Sequence, residues 1–230
     1  MYLICCTCDN RNFTRILLDH PEYKYGSQLP LTTYAPLFFA DQNWKNPRRK
    51  EYITTVAQLR PYIGTVLDLE REEQFSEVLD WAYEISPYVE KIVIIPKVNG
   101  IIAKLPRRIN DKDVILGYSV PTEYAGTTVP IPEFQGWDVH LLGGNPHQQV
   151  YYSKQMSVFS VDCNFHLKMA NRFCQYFSNM PNWLWKNPNW PTLLEGDGKK
   201  WEGNGRMEAF RRSCKSIADF WRFHGFRITV

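Results

Sequence analysis

Three aspartates each follow a short apolar segment, and they are the residues of this sequence best placed to do chemistry. Asp41 follows Leu-Phe-Phe-Ala, Asp68 follows Gly-Thr-Val-Leu, and Asp162 follows Val-Phe-Ser-Val. Such segments are typical of buried strands, and a carboxylate at the end of one lies where a barrel opens to its ligand. Burial and like-charge neighbours can separate the pKa values of carboxylates, so that one attacks as a nucleophile while another carries a proton. Retaining enzymes use this division of roles at a glycosidic carbon.

These residue types also have purely structural uses. An aspartate at a strand end is commonly a helix N-cap or a turn residue, and both interpretations stay open here. Gly143 and Gly144 follow a further apolar segment. A Gly-Gly pair permits close backbone approach to a flat ligand or a phosphate, although such turns are common.

Apolar segments alternate with helical or polar ones over the first two-thirds of the chain. Predicted strands lie at 2–8, 35–40, 64–69, 91–96, 114–119, 139–142 and 158–161, and predicted helices at 51–60, 72–85 and 206–224. This alternation indicates a parallel sheet covered by helices. An open doubly wound sheet has the same local pattern, but carboxylates at several strand ends favour a barrel. We predict an α/β fold, a TIM-like (β/α)8 barrel whose completeness and regularity stay open, with a C-terminal helical tail.

Length and composition fit one larger domain of 230 residues. Residues 1–176 are predicted to form the catalytic barrel, and residues 177–230 an aromatic-rich loop and a helix that pack on it. Lys and Arg number 27 against 24 Asp and Glu, so the formal net charge is +3. That excludes a histone-like or purely electrostatic nucleic-acid binder and leaves room for a local basic face. Aromatic residues make up 15% and suit a stacking surface.

The cysteines and the apolar segments bear on metal, membrane and location. Cys5, Cys6 and Cys8 lack the two-residue spacing and the fourth ligand of a common zinc site. We therefore expect no metal and no cofactor. No signal peptide is recognisable, and no apolar segment approaches the ~20 residues of a membrane span. We therefore expect a cytoplasmic protein whose thiols are reduced, in the host cytoplasm if the chain is viral. We expect no membrane partner.

Two segments carry a resemblance to a known family. His140–Pro146 reads His-Leu-Leu-Gly-Gly-Asn-Pro, and Ser160–Asn164 reads Ser-Val-Asp-Cys-Asn about fifteen residues later. The pair resembles the last two strands of tRNA-guanine transglycosylases, where a Gly-rich turn precedes a strand that ends in Phe-Asp-Cys and carries the nucleophile. The resemblance, which spans roughly residues 35–172, implies that Asp162 attacks C1′ of the ribose or deoxyribose.

The resemblance also implies roles for other residues. Asp41 stands where the family has an Asp that acts at the base, and Ile115–Pro121 resembles a segment whose backbone contacts the base. The implied substrate-binding residues are Asp68, Gly117, Tyr118, Gly143, Gly144 and Asn164. Asp41 is followed by Gln-Asn-Trp where the family has Ser-Gly-Gly, so the loop near the base differs.

The likeness is greater to the short phage and bacterial members, which are thought to put 7-deazaguanine derivatives into DNA. No Cys-x-Cys-x-x-Cys…His set follows Asp162, so the zinc subdomain that helps the family hold tRNA is missing from this sequence. The resemblance therefore implies a pentosyltransferase with Asp162 and Asp41 as catalytic residues. Its substrates would be a 7-deazaguanine base and DNA, single-stranded or with the target base flipped out.

Two basic clusters follow predicted strands. The residues predicted to contact the nucleic-acid backbone are Lys45, Arg48 and Arg49 after the second predicted strand, and Lys97, Lys104, Arg107 and Arg108 after the fourth. We expect both clusters on the active face of the barrel, where Lys and Arg would neutralise phosphates. The alternative is that these are solvated basic loops.

Two other functions fit the same residues. A hydrolase of nucleosidic or glycosidic bonds would use the same carboxylates with water as acceptor. A non-catalytic nucleic-acid-binding barrel would position DNA for another enzyme and would not need Asp162. Whether a protein partner completes the site is left open by the sequence.

Overall fold

The strands of the computed structural model close into a barrel. The structure describes residues 1–7, 10–122, 126–181, 188–193 and 205–230. The strands are β1 (Tyr2–Cys6), β2 (Tyr23–Leu29), β3 (Phe39–Gln42), β4 (Ile63–Thr65), β5 (Lys91–Ile94), β6 (Arg108–Ile109), β7 (Lys112–Ser119), β8 (Asp138–Leu142) and β9 (Ser157–Asp162). All except β6 pair in parallel, and the pairings β5–β7 and β9–β1 complete the circle of eight. The predicted TIM-like barrel is confirmed.

Helices cover the outside of the barrel unevenly. They are α1 (Arg11–Leu18), α2 (Arg49–Leu59), α3 (Phe75–Ile85), α4 (Pro146–Ser153), α5 (Phe165–Phe173) and α6 (Gly205–Phe223). The segment from β2 to β3 contains no α-helix, and the segment from β5 to β7 carries only a 3-10 turn and the short antiparallel β6. The strand layer is therefore complete while the helix layer is irregular. The predicted C-terminal helix at 206–224 is confirmed as α6.

Apolar side chains fill the barrel and separate its two ends. The interior cluster consists of Ile4, Cys6, Phe39, Ile63, Val93, Ile95 and Ile115. Four rings, those of Tyr2, Phe38, Tyr62 and Phe159, pack together at the amino end of the strands. Side chains alternate between the two faces of each strand. The inward-pointing residues that lie beyond this packed interior, nearer the carboxyl ends of the strands, therefore line the opposite mouth of the barrel. That mouth is where the strands reach their carboxyl ends.

Strand β2 was not predicted, and its residues explain why. Tyr23, Tyr25 and Leu29 pack outward into the main core, whereas the intervening positions include Gly26 and Gln28. Polar residues and a glycine on the inward face hide the apolar signal that marks a strand. The predicted strand at 35–40 is β3, which begins at Phe39 and runs through Asp41 to Gln42.

The segment after the barrel is described in part. Residues 182–187 and 194–204 of the predicted aromatic-rich tail lie outside the described residues, as does Cys8. Phe177 packs against Trp190 and against Phe220 of α6, with ring centroids 5.3 and 5.2 Å apart. Among the helices of the described ranges, none is both long and apolar enough to cross a membrane.

Candidate active site

The three predicted aspartates lie at one end of the barrel. Asp41 is the third residue of β3, Asp162 is the last residue of β9, and Asp68 follows β4 by three residues. Parallel strands present all their carboxyl ends at the same mouth, so these side chains share one opening. Burial raises the pKa of Asp41 well above its usual value, and the charges of Asp162 and Asp68 raise it further. The fold thus brings the three carboxylates close together.

Two donors from neighbouring strands hold the half-buried Asp162. The Gly143 amide donates to Oδ1 over 3.2 Å, and the Cys6 thiol donates to Oδ2 over 3.4 Å. Burial raises the pKa of Asp162, while these two hydrogen bonds favour the ionised form and oppose that rise. The result is a fixed, partly desolvated carboxylate, an environment suited to a nucleophile.

Asp41 lies in a different electrostatic environment from Asp162. Its upward pKa shift comes first from burial and then from like charges, and hydrogen bonds from the Gln28 side chain and the Gln42 amide only partly oppose it. A carboxyl group with like charges beside it keeps its proton to higher pH. The two carboxyl groups therefore differ in their surroundings: like charges help Asp41 to keep its proton to higher pH, and two donors hydrogen-bond the carboxylate of Asp162, a difference that can divide the roles of acid and nucleophile.

Asp68 is held in an ion pair. Lys97 Nζ lies 2.7 Å from Asp68 Oδ2 and 3.2 Å from Glu70 Oε1. Burial raises the pKa of Asp68 despite the opposing effect of Lys97. Burial alone would lower the pKa of Lys97, but its two carboxylate partners outweigh burial and raise it. The ion pair therefore holds the Asp68 carboxylate in a fixed position beside the other two carboxylates. There it can accept a hydrogen bond and forms part of the polar lining of the mouth.

The turn after β8 shapes the side of the site next to Asp162. Gly143 and Gly144 adopt φ values of +70° and +76°, a left-handed conformation that favours glycine. Asn145 and Gln148 then form a capping box that begins α4. One turn into that helix, buried Gln149 donates from Nε2 to the carbonyls of both Gly143 and Asp162, each over 2.8 Å. Gln149 thereby ties the glycine turn to the end of β9.

Within the described residues, no group of three or more His, Cys, Asp or Glu is arranged to hold a metal ion. The carboxylates at the mouth are held by amides, a thiol and a lysine, as described above.

Sequence comparison places the chain in a family. The profile of a "Family of unknown function (DUF6610)" matches residues 22–222, which is most of the chain and includes all three aspartates. The chain belongs to DUF6610. No curated protein matches it significantly.

The solved structures similar to this DUF6610 chain include phosphoribosylanthranilate isomerases. Monomers of the Thermotoga maritima enzyme are 11% identical with a TM-score of 0.40, over 95% of this chain and 98% of the other. The Pyrococcus furiosus enzyme is 13% identical with a TM-score of 0.40, over 95% and 99%. A third isomerase, in complex with reduced 1-(o-carboxyphenylamino)-1-deoxyribulose 5-phosphate, has the same identity and coverage as the Pyrococcus enzyme. At this identity and similarity, nothing about chemistry is transferred to the DUF6610 chain.

The remaining predicted substrate-binding residues of the DUF6610 chain lie in different environments. Gly143 faces open space, with no heavy atom within 4 Å of where a Cβ would stand. Asn164 is partly exposed and lies between the end of β9 at the mouth and the start of α5. Gly117 is buried in the barrel wall, with Ile95 Cγ1 2.5 Å from the position of its missing Cβ. Tyr118 points outward, where its ring packs on other aromatic rings rather than toward the carboxylates.

The basic residues after β3 and β5 of the DUF6610 chain are mostly ion-paired. They follow the carboxyl ends of their strands, as expected. Their ion pairs are Arg48–Glu51 and Arg49–Glu84 at 3.0 Å, Lys97–Asp68 at 2.7 Å, and Lys104–Glu72. Among the described residues, Lys45 has no carboxylate partner and lies 5.1 Å from the Trp44 ring. Contact of these residues with nucleic acid stays a prediction.

Arg107 and Arg108 lie at the other end of the barrel, so the expectation that both basic clusters share the active face is wrong for these two. Beyond the 3-10 turn after β5, the chain returns along the outside of the barrel to the amino end of β7. There Arg108 pairs in register with Asp113, and its guanidinium lies 3.5 Å from that carboxylate. Arg107 stacks 3.5 Å from the centre of the Trp137 ring and donates to the Gly136 carbonyl.

Sequence reasoning missed two residues of this DUF6610 site. Cys6 lies in a cysteine-rich segment whose spacing gives no sign of this role, and its contact with Asp162 joins positions 156 residues apart. Gln149 stands in no motif of its own. The capping pattern Asn145-x-x-Gln148 could have placed a helix start after the glycine turn, and thereby Gln149 on its first turn. His140 lies outside this site: it is fully buried in the core, with its Nδ1 hydrogen-bonded to Ser160 Oγ over 2.8 Å.

Proposed function

We propose that this protein exchanges guanine in DNA for a 7-deazaguanine derivative through a covalent ester between Asp162 and the deoxyribose. The observation that carries the proposal is the pair Asp41 and Asp162. These two carboxylates share one barrel mouth; burial raises the pKa of both, like charges raise that of Asp41 further, and hydrogen bonds from Gly143 and Cys6 oppose the rise at Asp162. The resemblance to transglycosylases supplies the substrate class.

In the first step, an Asp162 carboxylate oxygen attacks C1′ of the sugar. The bond from C1′ to N9 of guanine breaks, and its electron pair goes to the leaving base. Asp41 gives its proton to a nitrogen of that base, so a neutral guanine departs. Gly143 and Cys6 hold the carboxylate of Asp162 in place, which lowers the entropic cost of the attack.

In the second step, the incoming 7-deazaguanine replaces guanine. Asp41, now ionised, accepts the proton from N9 of the new base. That nitrogen attacks C1′, the ester bond to Asp162 breaks, and the carboxylate of Asp162 is regenerated. No water is consumed, because one base replaces another. Exchange thus returns both aspartates to their starting protonation states.

The electrostatics of the mouth support an enzyme more than a purely electrostatic binder. Apart from Arg107 and Arg108 at the other end of the barrel, five basic residues are predicted to contact nucleic acid, and four of them have carboxylate partners: Arg48, Arg49, Lys97 and Lys104. Binding of a phosphate backbone depends on lysines and arginines whose counterions are released, and internal pairing reduces that gain. Recognition of the base inside the mouth then contributes a larger part of the binding free energy.

The test is base exchange by wild type and by Asp162→Ala. Each protein is incubated with single-stranded or duplex DNA and 7-deazaguanine, and the DNA is then digested to nucleosides for mass spectrometry. We expect 7-deaza-2′-deoxyguanosine with wild type and none with the variant. Equal incorporation by the variant would remove Asp162 as the nucleophile.

The same digest separates the two other functions. Free guanine released without incorporation would indicate a hydrolase that uses the same carboxylates. DNA that stays unchanged while it still binds both proteins equally would indicate a non-catalytic binding barrel. Folding of Asp162→Ala is checked by its thermal unfolding, because an alanine in place of a partly buried carboxylate can alter the mouth.

A further inference from the structure

Trp44 is a large aromatic side chain that the proposed reaction leaves without a role. It lies in the loop that follows β3, three residues after Asp41, and 47% of it is exposed. The ammonium groups of Lys45 and Lys97 lie 5.1 and 5.5 Å from the centre of this ring, and the flat face of an indole suits stacking with a flat heteroaromatic ring.

The loop holds Trp44 in a defined position. The Asn43 side chain accepts from the amides of Lys45 and Asn46, 3.2 and 3.3 Å away, which closes a tight turn with Trp44 inside it. The loop is anchored to the barrel because the Gln42 amide donates to Thr65 Oγ1 over 2.7 Å. The backbone that carries the indole is therefore held in place, which limits the conformational entropy lost when a ligand stacks on the ring.

Contacts of the ring connect it to the carboxylates. Lys97 Nζ lies 5.5 Å from the centre of the Trp44 ring, and the same ammonium is 2.7 Å from Asp68 Oδ2. One cation thus lies between the indole and an aspartate of the mouth. The ring is therefore beside the site, on the same side as Asp41 and Asp68.

We propose that Trp44 is the residue on which the base stacks, with Asp68 and Lys97 at its polar edge. The ligand class is a planar, uncharged purine-like heterocycle. This inference rests on the proposed function for the identity of the base, and it assigns a positioning and specificity role that the resemblance does not supply, because the family has Ser-Gly-Gly at these positions.

The test compares binding of 7-deazaguanine by wild type, Trp44→Leu, Trp44→Phe and Tyr83→Leu in calorimetric titrations. Loss of one base–aromatic stack should raise the Kd of Trp44→Leu by roughly 5- to 150-fold. Trp44→Phe should retain most of the affinity. Tyr83 is a matched control, because it is 49% exposed but lies on α3 outside the barrel, and its variant should bind like wild type.

The same proteins are then assayed for exchange into DNA, so that the two proposals fail separately. Trp44→Leu should raise the KM for the base and keep most of kcat. A Trp44→Leu protein that matches wild type in both Kd and KM overturns the stacking role while exchange stands. Binding that depends on Trp44 without any exchange by wild type supports the stacking role and overturns the transglycosylase. If wild type does not bind 7-deazaguanine, the stacking role is overturned.

Discussion

The amide of Gly143 is shared between two oxygens of Asp162. It lies 3.2 Å from the main-chain carbonyl and 3.2 Å from Oδ1 of the side chain. Gly143 adopts a left-handed conformation, with φ of +70°, so the chain turns directly after this amide. A single backbone group thereby sets the position of the strand end and of the carboxylate that we assign as the nucleophile.

Alanine at the two turn glycines should destabilise the protein to different degrees. Gly143→Ala adds only the cost of a left-handed alanine, about 1–2 kcal/mol, because nothing lies within 4 Å of the new Cβ. Gly144→Ala should cost more, since its Cβ would also stand 2.8 Å from Val120 Cγ1. Urea unfolding at neutral pH measures both. Equal losses, or a larger loss for Gly143→Ala, would contradict the packing described for this turn.

Gln149→Leu should disturb the glycine turn after β8, because the Gln149 side chain supports that turn from α4. The substitution removes a donor from two carbonyls, of which that of Asp162 keeps the Gly143 amide, and we expect a loss of about 1–3 kcal/mol in the free energy of unfolding. If the Gly143 amide shifts as a result, the pKa of Asp162 rises and the acidic limb of the pH–rate profile moves to higher pH. Gln155→Leu is the control, since that exposed amide bonds one carbonyl on the helix surface. An acidic limb that does not move would show that Gln149 has no effect on the pKa of Asp162.

Asp41→Asn should stabilise the folded protein at neutral pH while it abolishes exchange. Burial and like charges raise the folded-state pKa of Asp41 above its unfolded value, so wild type loses stability as pH rises from about 4 through the folded pKa. Asparagine removes this loss, and the gain grows with pH over that window. Thermal or urea unfolding between pH 4 and 8 measures it, with exposed Asp80→Asn as the control. A variant that is less stable than wild type at pH 7 would contradict this account of Asp41.

Lys45 and Arg108 should differ in their effect on DNA binding. Lys45 lies at the carboxylate mouth without a carboxylate partner among the described residues, whereas Arg108 lies at the amino end beside Asp113. Lys45→Ala should weaken binding of single-stranded DNA and reduce the slope of log K against log salt by about 0.7, the value for one contact with a single strand. Arg108→Ala should leave both unchanged. The reverse order would place the nucleic acid at the other end of the barrel.

Much of the fold could be predicted, because the signal was local. Apolar segments that end in aspartate mark strand ends, and the parallel arrangement then places Asp41, Asp68 and Asp162 at one mouth without further information. Strand β2 escaped because its inward side chains, among them Gly26 and Gln28, carry no apolar pattern. A strand that lines a polar part of a barrel looks like a loop in sequence.

The contacts of the candidate site were less predictable, because they join distant positions. The hydrogen bond from Cys6 to Asp162 exists only because β1 and β9 are neighbours in the closed barrel. Arg107 and Arg108 follow β5 in sequence but lie at the amino end of β7, since the connecting segment crosses the height of the barrel before β6. The order of the sequence shows which strand each residue follows. It does not show at which end of the barrel the residue lies.

The covalent intermediate tests the central claim most directly. Wild type, Asp162→Asn and Asp41→Asn are mixed with a short guanine-containing single-stranded DNA, quenched in acid, and digested for peptide mass spectrometry. We predict a deoxyribosyl ester on the peptide that contains Asp162 with wild type, and none with Asp162→Asn. An adduct on another residue, an adduct that persists in Asp162→Asn, or base exchange by wild type without any adduct would contradict the account.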